Sequence, residues 1–291
     1  MQDPIRLKAE LIQKFHGELG PAVARIEASD ESHQEKAKAV NAYVEAAKKP
    51  LSERLLKIAE PQDRQAALLV LAYCASVVSL EYRHRVWPYE YMAFSRRVGE
   101  LWERFCSAAW DCPSRPRVDR ITEPEFSQVY ASIRGRVLEN AKGSRGFKQI
   151  EEDLGHLLTL IGEINMKEDE VFEVEGRPHV VDFKSGFGSN EKGNTSRLLA
   201  VGRAYRLWKP ETTLLLLVRQ EENNHYLEII RKSRLWEVHC GDAAYAKIDE
   251  LTGANTKGIR RKIINFEADL SPEFQKDIRG HLSDLTAYLR W

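Results

Sequence analysis

The sequence lacks several features, and each lack narrows the reading. Cysteine is scarce: Cys74, Cys106, Cys112 and Cys240 are the only four, and none stands in a Cys-x-x-Cys pair. That argues against a zinc site and offers no disulfide framework. The four read as small buried side chains. No apolar run approaches the roughly 18 residues a membrane helix needs. The opening residues, Met-Gln-Asp-Pro-Ile-Arg-Leu-Lys, have no apolar signal-peptide core. The expectations are therefore no membrane partner and a cytoplasmic location. No Gly-Lys-Ser/Thr follows the glycines near 186–193, so a Walker phosphate loop is absent and nucleotide hydrolysis is a poor reading. Internal repeats and low-complexity segments are also missing. Net charge is lacking too, with 44 basic and 44 acidic residues.

What is present is a chain of 291 residues, 43% hydrophobic and 30% charged. That is enough to bury a sizeable core, as one large domain or as a small helical domain joined to a mixed one. The balanced charge is unevenly spread. Residues 192–210 carry Lys192, Arg197, Arg203, Arg206 and Lys209 with no acid. Residues 134–148 carry Arg134, Arg136, Lys142, Arg145 and Lys148 against Glu139 alone, and Lys257, Arg260, Arg261 and Lys262 lie close together. Acids gather instead at Glu163, Glu168, Asp169, Glu170, Glu173 and Glu175. A concentrated negative site flanked by basic surface suits an enzyme that holds cations and grips phosphates.

The first 110 residues show helical spacing of apolar side chains, with Pro50, Pro61 and Pro88 as segment boundaries. Residues 65–80 read as a buried helix. Residues 89–110 follow, with Phe94, Val98, Leu101, Trp102, Phe105 and Ala109 on one core-facing stripe. Residues 111–123 read as a connection. Residues 146–161 repeat the helical spacing through Phe147, Ile150, Leu154, Leu157 and Leu158. The period then changes. Residues 170–175 alternate as a strand does, Gly176-Arg177-Pro178 supplies a turn, and residues 179–184 form a second strand paired to the first. A polar loop follows over 185–193. A helix capped by Asn194 or Thr195 runs to about Trp208. Residues 212–220 hold a buried central strand, 226–230 a further short strand, and helices resume from 243. The expected fold is α/β (α+β): a mixed central sheet flanked by helices, with a helical N-terminal region over 1–120 and the mixed core with C-terminal helices over 121–291.

Residues 179–184 read His-Val-Val-Asp-Phe-Lys. Asp182 and Lys184 are two apart in a strand, so they share a face while Val181 and Phe183 point into the core. A carboxylate there can hold a hard cation, and a neighbouring ammonium can orient water or offset charge on a phosphate. A second carboxylate is needed. With Gly176-Arg177 as the turn, Asp169 falls on the face of Asp182 as a diagonal neighbour. Glu170 falls on the other face, and a one-residue slip would exchange them. Asp169 ranks first, Glu170 second and Glu168 third. Glu151 or Glu152 on the preceding helix are further candidates, although a solvated helix face accounts for both. His179 reads as structural. In the loop and the helix after it, Ser189, Asn190, Lys192, Asn194 and Arg197 are suited to phosphates or base edges.

Asp169, a short hairpin and Asp182-Phe183-Lys184 resemble the core of the PD-(D/E)xK nuclease superfamily, over roughly residues 147–220. There an acid opens one strand, and an acid-x-lysine sits on the next, within a helix–strand–strand–helix–strand order. Here Glu168 stands before Asp169 in place of the family's proline. The resemblance implies a restriction-endonuclease-like core. In it Asp169, Asp182 and the Phe183 carbonyl bind Mg2+, and Asp169, Asp182 and Lys184 form the catalytic centre. The length and the helical N-terminal portion look most like a type II restriction endonuclease, which implies double-stranded DNA as substrate and a homodimer acting on a palindrome. The alternatives are a repair or recombination nuclease with the same core and a non-catalytic DNA-binding or scaffold protein.

Overall fold

A computed structural model of the chain describes residues 3–186, 192–220, 225–281 and 288–291, with the side chain of residue 281 excepted. These residues form two compact units, one from 1–116 with 240–291 and the other from 117–239. The sequence reading divides the chain once, near residue 120. The structure divides it twice, because the chain returns to the first unit at Cys240.

The first unit is helical. It opens with α1 (Pro4–Glu27), α2 (His33–Leu55), α3 (Pro61–Val86) and α4 (Tyr91–Asp111). Pro61 starts α3 at a position whose backbone N–H has no helical partner in any case. Pro50 is not the expected boundary, for it lies inside α2. Leu51 and Leu55 beyond it are buried and hold the last turn on the core, so packing overrides the breaker. Among the described residues α3 alone is long and apolar enough to cross a membrane, and that stretch is 94% buried within the protein. It packs against α1, α2 and α4 as the unit's central helix. Trp102 and Phe105 on α4 are fully buried, as the stripe predicts.

The second unit contains β1 (Val118–Arg120), α5 (Phe126–Ala141), α6 (Phe147–Ile161), β2 (Glu170–Val174), β3 (Arg177–Lys184), α7 (Lys192–Trp208), β4 (Thr213–Val218) and α8 (His225–Ser233). β5 (Glu237–Cys240) completes a five-stranded sheet in the order β1-β2-β3-β4-β5. The chain then re-enters the first unit through α9 (Asp242–Thr252), α10 (Thr256–Ile263), α11 (Phe266–Asp269) and α12 (Pro272–His281). There α9 packs on α4, and α10 packs on α1 and α3. The fold is thus mixed α/β, with a small mixed sheet.

β2 and β3 are an antiparallel hairpin whose register pairs Val174 with Arg177 and Glu170 with Val181. The turn is therefore Glu175-Gly176, one residue earlier than the sequence indicated. Both have positive φ, +53° and +81°, which a two-residue primed hairpin turn requires. Glycine meets that demand at one position, and Glu175 adopts it at the other. Moving the turn by one residue shifts the register by two. The parity of the faces is unchanged, and Asp169 stays on the side of Asp182. β4 runs parallel to β3, with Asp182 beside Leu216 and Lys184 beside Val218, and α7 supplies the crossover that a parallel pair needs.

Two expectations fail here. Residues 226–230 belong to helix α8, not to a strand: Leu227 and Ile230 are its buried residues, three apart as a helix requires. The stretch read as a connection over 111–123 contains strand β1. Helix α6 forms as expected but has no buried residue, and Leu157, Leu160 and Ile161 are exposed.

Candidate active site

β3 carries an acid and a lysine within its last three residues. Val181 and Phe183 are fully buried on one face. Asp182 and Lys184 lie on the other, at the C-terminal end of a strand with a parallel neighbour, the usual position for a site in an open α/β sheet. Asp182 is only 2% exposed, and an ionised carboxylate at that depth needs charged partners.

It has two of them. Its Oδ2 accepts a hydrogen bond from an Arg197 guanidinium nitrogen at 2.6 Å. Its Oδ1 is in ion-pair contact with the Lys184 ammonium, yet no hydrogen bond of acceptable geometry reaches that buried oxygen. The same ammonium donates to the Phe183 carbonyl oxygen at 3.1 Å. Asp182 Oδ1, the Phe183 carbonyl and Lys184 Nζ thus share one corner.

Two more acids border it. One step beyond Glu170 on the hairpin ladder, Asp169 falls opposite Asp182, and its Oδ2 accepts the Phe183 backbone N–H at 2.6 Å. Burial of its carboxylate and the charge of Asp182 raise its pKa, although the residue as a whole keeps contact with solvent. Glu168, ranked third from sequence, lies closer in than expected. Its side chain is wholly buried and pairs with Arg197 at 2.5 Å and 3.3 Å. Burial, together with the adjoining Asp182 carboxylate, pushes its pKa up. Burial opposes the charge of Arg197, but Glu168 and Asp182 outweigh it and keep that guanidinium's pKa above its usual value. Glu170 faces the opposite side of the sheet, where Arg120 grips it through two hydrogen bonds of 2.8 Å and 2.9 Å.

The structure therefore brings Asp169, Asp182, Lys184 and the Phe183 carbonyl together and adds Glu168 and Arg197. Alternation could not have found Glu168, because it precedes the regular strand and its side chain departs from the ladder's two-face rule. Arg197 was singled out as a DNA contact but is committed to two carboxylates. Asn194 accepts a long hydrogen bond of 3.5 Å from Arg197, and Lys192 is exposed at the start of α7. Ser189 and Asn190 lie outside the described residues. Glu151 pairs with Arg134 of α5 at 2.6 Å, Glu152 is exposed, and His179 stacks on its cross-strand partner Phe172 at 5.3 Å. Sequence reasoning also missed Arg219, which follows β4. It is buried, donates to Ser185 Oγ at 2.9 Å and 3.1 Å, and passes its backbone N–H to Lys184 O. A charged residue directly after a run of five apolar ones was its only signal.

Among the described residues no three His, Cys, Asp or Glu side chains converge at metal-holding spacing. The corner offers instead one or two carboxylates and a backbone carbonyl. That donor set fits Mg2+, which keeps several waters and takes few protein ligands, and Asp182 Oδ1 already attracts a cation, the Lys184 ammonium. Comparison with protein-family models, with curated proteins and with solved structures finds no match.

Proposed function

We propose that the chain is a Mg2+-dependent endodeoxyribonuclease with a restriction-endonuclease-like core, most like a type II restriction enzyme acting as a homodimer on double-stranded DNA. The observation that carries the reading is the corner at the end of β3. There a buried aspartate oxygen and a backbone carbonyl are both in contact with a lysine ammonium, and a second aspartate stands opposite on the hairpin. The helix–strand–strand–helix–strand order from α6 to β4 agrees with that reading.

Asp182 Oδ1 and the Phe183 carbonyl would hold Mg2+, and Asp169 would complete the protein's share of its ligands. When bound, the ion supplies a Lewis acid for a phosphoryl oxygen and acidifies a water. The chain's residues do the rest. Asp169 is braced through Oδ2 by the Phe183 N–H, which leaves its other oxygen to take part in holding the ion. Arg197 holds Asp182 by Oδ2 and leaves the buried Oδ1 to the Lys184 side of the corner. Lys184 offers a cation where charge grows on the phosphate and where water must lose a proton.

Incubating the protein with a plasmid of known sequence in Mg2+ should give discrete fragments whose mapped ends share one sequence, and chelation should stop the reaction. A smear or progressive end-resection would favour a repair-type nuclease. A failure to cut in either Mg2+ or Mn2+ would discard the nuclease reading altogether.

A further inference from the structure

The two oxygens assigned to the ion are already in contact with a cation of the chain itself. The Lys184 ammonium touches Asp182 Oδ1 and lies 3.1 Å from the Phe183 carbonyl oxygen. Its side chain is 19% exposed and that of Asp182 2%, so the contact is made at the edge of the interior, with solvent on the lysine's side. On the far side of the carboxylate, Arg197 is tied to Asp182 Oδ2 and to both oxygens of Glu168. Of the two cations on Asp182, Arg197 is the more exposed, 36% against 19%, but it is held by four hydrogen bonds, whereas Lys184 is attached only to Asp182 Oδ1 and the Phe183 carbonyl. Two cations cannot share the same pair of oxygens at contact distance, because their repulsion rises steeply as the separation falls.

We propose that Lys184 is the internal counter-ion of the metal position: its ammonium and a divalent cation compete for Asp182 Oδ1 and the Phe183 carbonyl, and ion binding drives the ammonium outward. Arg197 stays in place and keeps the carboxylate aligned. The displaced ammonium then projects from the end of β3 beside the ion, where a phosphate would meet both charges. Loading the ion thereby delivers the lysine to the substrate. This inference rests on the metal site proposed above and adds a sign to it, since the lysine assists cleavage yet opposes ion binding.

The test is Mn2+ affinity without DNA, measured by electron paramagnetic resonance on the wild type, Lys184→Met, Lys184→Gln and Asp182→Asn. Both lysine variants should bind Mn2+ roughly tenfold or more tightly than the wild type, since a contact cation has been removed from the ligand oxygens. Both should also lose cleavage. Asp182→Asn should abolish binding. A wild-type crystal soaked in Mn2+ should show the ion on Asp182 Oδ1 and Lys184 Nζ moved away from it; this second readout separates displacement from a general charge effect and does not depend on the variants folding. Equal or weaker Mn2+ binding by both lysine variants, or an ion on Oδ1 with the ammonium still in contact, overturns the competition and leaves the metal site standing. If neither wild type nor variants bind Mn2+, the metal site falls and the competition with it.

Discussion

The two oxygens of Asp182 face different company, and that difference separates the roles of its neighbours. Oδ2 is bound by Arg197, and Oδ1 faces Lys184. Asp182→Asn keeps size and removes charge, so it should abolish cleavage while the far-ultraviolet circular dichroism stays that of the wild type. Near-normal cutting by that variant would mean the ion lies elsewhere. Lys184→Ala should lower the cleavage rate on the order of 100-fold or more, and specific DNA binding should persist because Lys184 points into the corner rather than across the surface. Normal cutting by Lys184→Ala, or joint loss of binding and folding, would make it a structural lysine. Arg197 is the residue whose expected role changes most. Its basic neighbours suggested a phosphate contact, which would reduce the salt dependence of DNA binding by about one unit on removal. With its guanidinium on Glu168 and Asp182, Arg197→Ala should leave that slope unchanged and still abolish cleavage. A slope lowered by about one would return Arg197 to the DNA surface.

At the scale of elements, what was legible followed from period, and what was not followed from contacts between distant segments. Alternation identified the hairpin and placed Asp182 with Lys184, because faces survive a register error of two residues. The turn was misplaced because Gly176-Arg177-Pro178 looks like a turn, whereas a primed turn needs positive φ at Glu175 as well. The strand expected at 226–230 became α8 because a short apolar run does not distinguish the two periods. No local pattern could reveal that Arg120 would take Glu170 from the neighbouring strand β1, some fifty residues earlier in the chain. The packing of α7 makes a prediction of its own. A Cβ at Gly202 would lie 2.6 Å from Trp236 Nε1, 2.8 Å from Leu235 Cδ2 and 3.1 Å from Leu214 Cδ1. The Trp236 indole is buried and donates to Leu198 O at 2.8 Å, so it can yield only by losing that bond. Gly202→Ala should therefore destabilise by about 1–3 kcal/mol in urea unfolding, outweighing alanine's helical advantage of about 1 kcal/mol. A stabilised variant would show that α7 stands further from its neighbours. Helix α6 makes the opposite case: Leu160 is 82% exposed, so Leu160→Gln should change stability by less than about 0.5 kcal/mol, and a clearly larger loss would mean that α6 is covered in solution.

For the whole molecule, a formal net charge of zero means that the proposed DNA substrate would be attracted by whichever basic side chains are not already paired. Sequence density is a poor guide to that, since pairing depends on the fold. Around 257–262, Lys257, Arg260 and Arg261 all converge on Asp242 at 2.5–3.2 Å, and Lys262 pairs with Asp3. Burial is the largest single effect on the Asp242 carboxyl and raises its pKa, but Lys257, Arg260 and Arg261 together outweigh it and hold the pKa below its usual value. All four cations of that segment are engaged, although they share only two acids. In the sheet-containing unit, Arg134 pairs with Glu151, Lys142 with Glu139 and Lys209 with Glu173. Arg136, Arg145 and Lys148, together with Lys192 and Arg203, are exposed and make no ion pair among the described residues. Arg117, Lys167, Arg177, Lys232 and Arg234 of the same unit are likewise exposed with no ion pair among the described residues, so all ten can meet phosphates without first giving up an ion-pair partner. Each phosphate neutralised contributes about 0.9 to the slope of log affinity against log salt. Replacing Arg136, Arg145 and Lys148 together by alanine should therefore lower the slope by up to about three units, while Arg261→Ala should leave it within error of the wild type. Fluorescence anisotropy of a labelled duplex, titrated at several salt concentrations in Ca2+ to prevent cutting, measures both. A slope that falls for Arg261→Ala but not for the triple variant would mean that the helical unit, and not the one carrying Asp182, provides the protein's electrostatic contact with DNA.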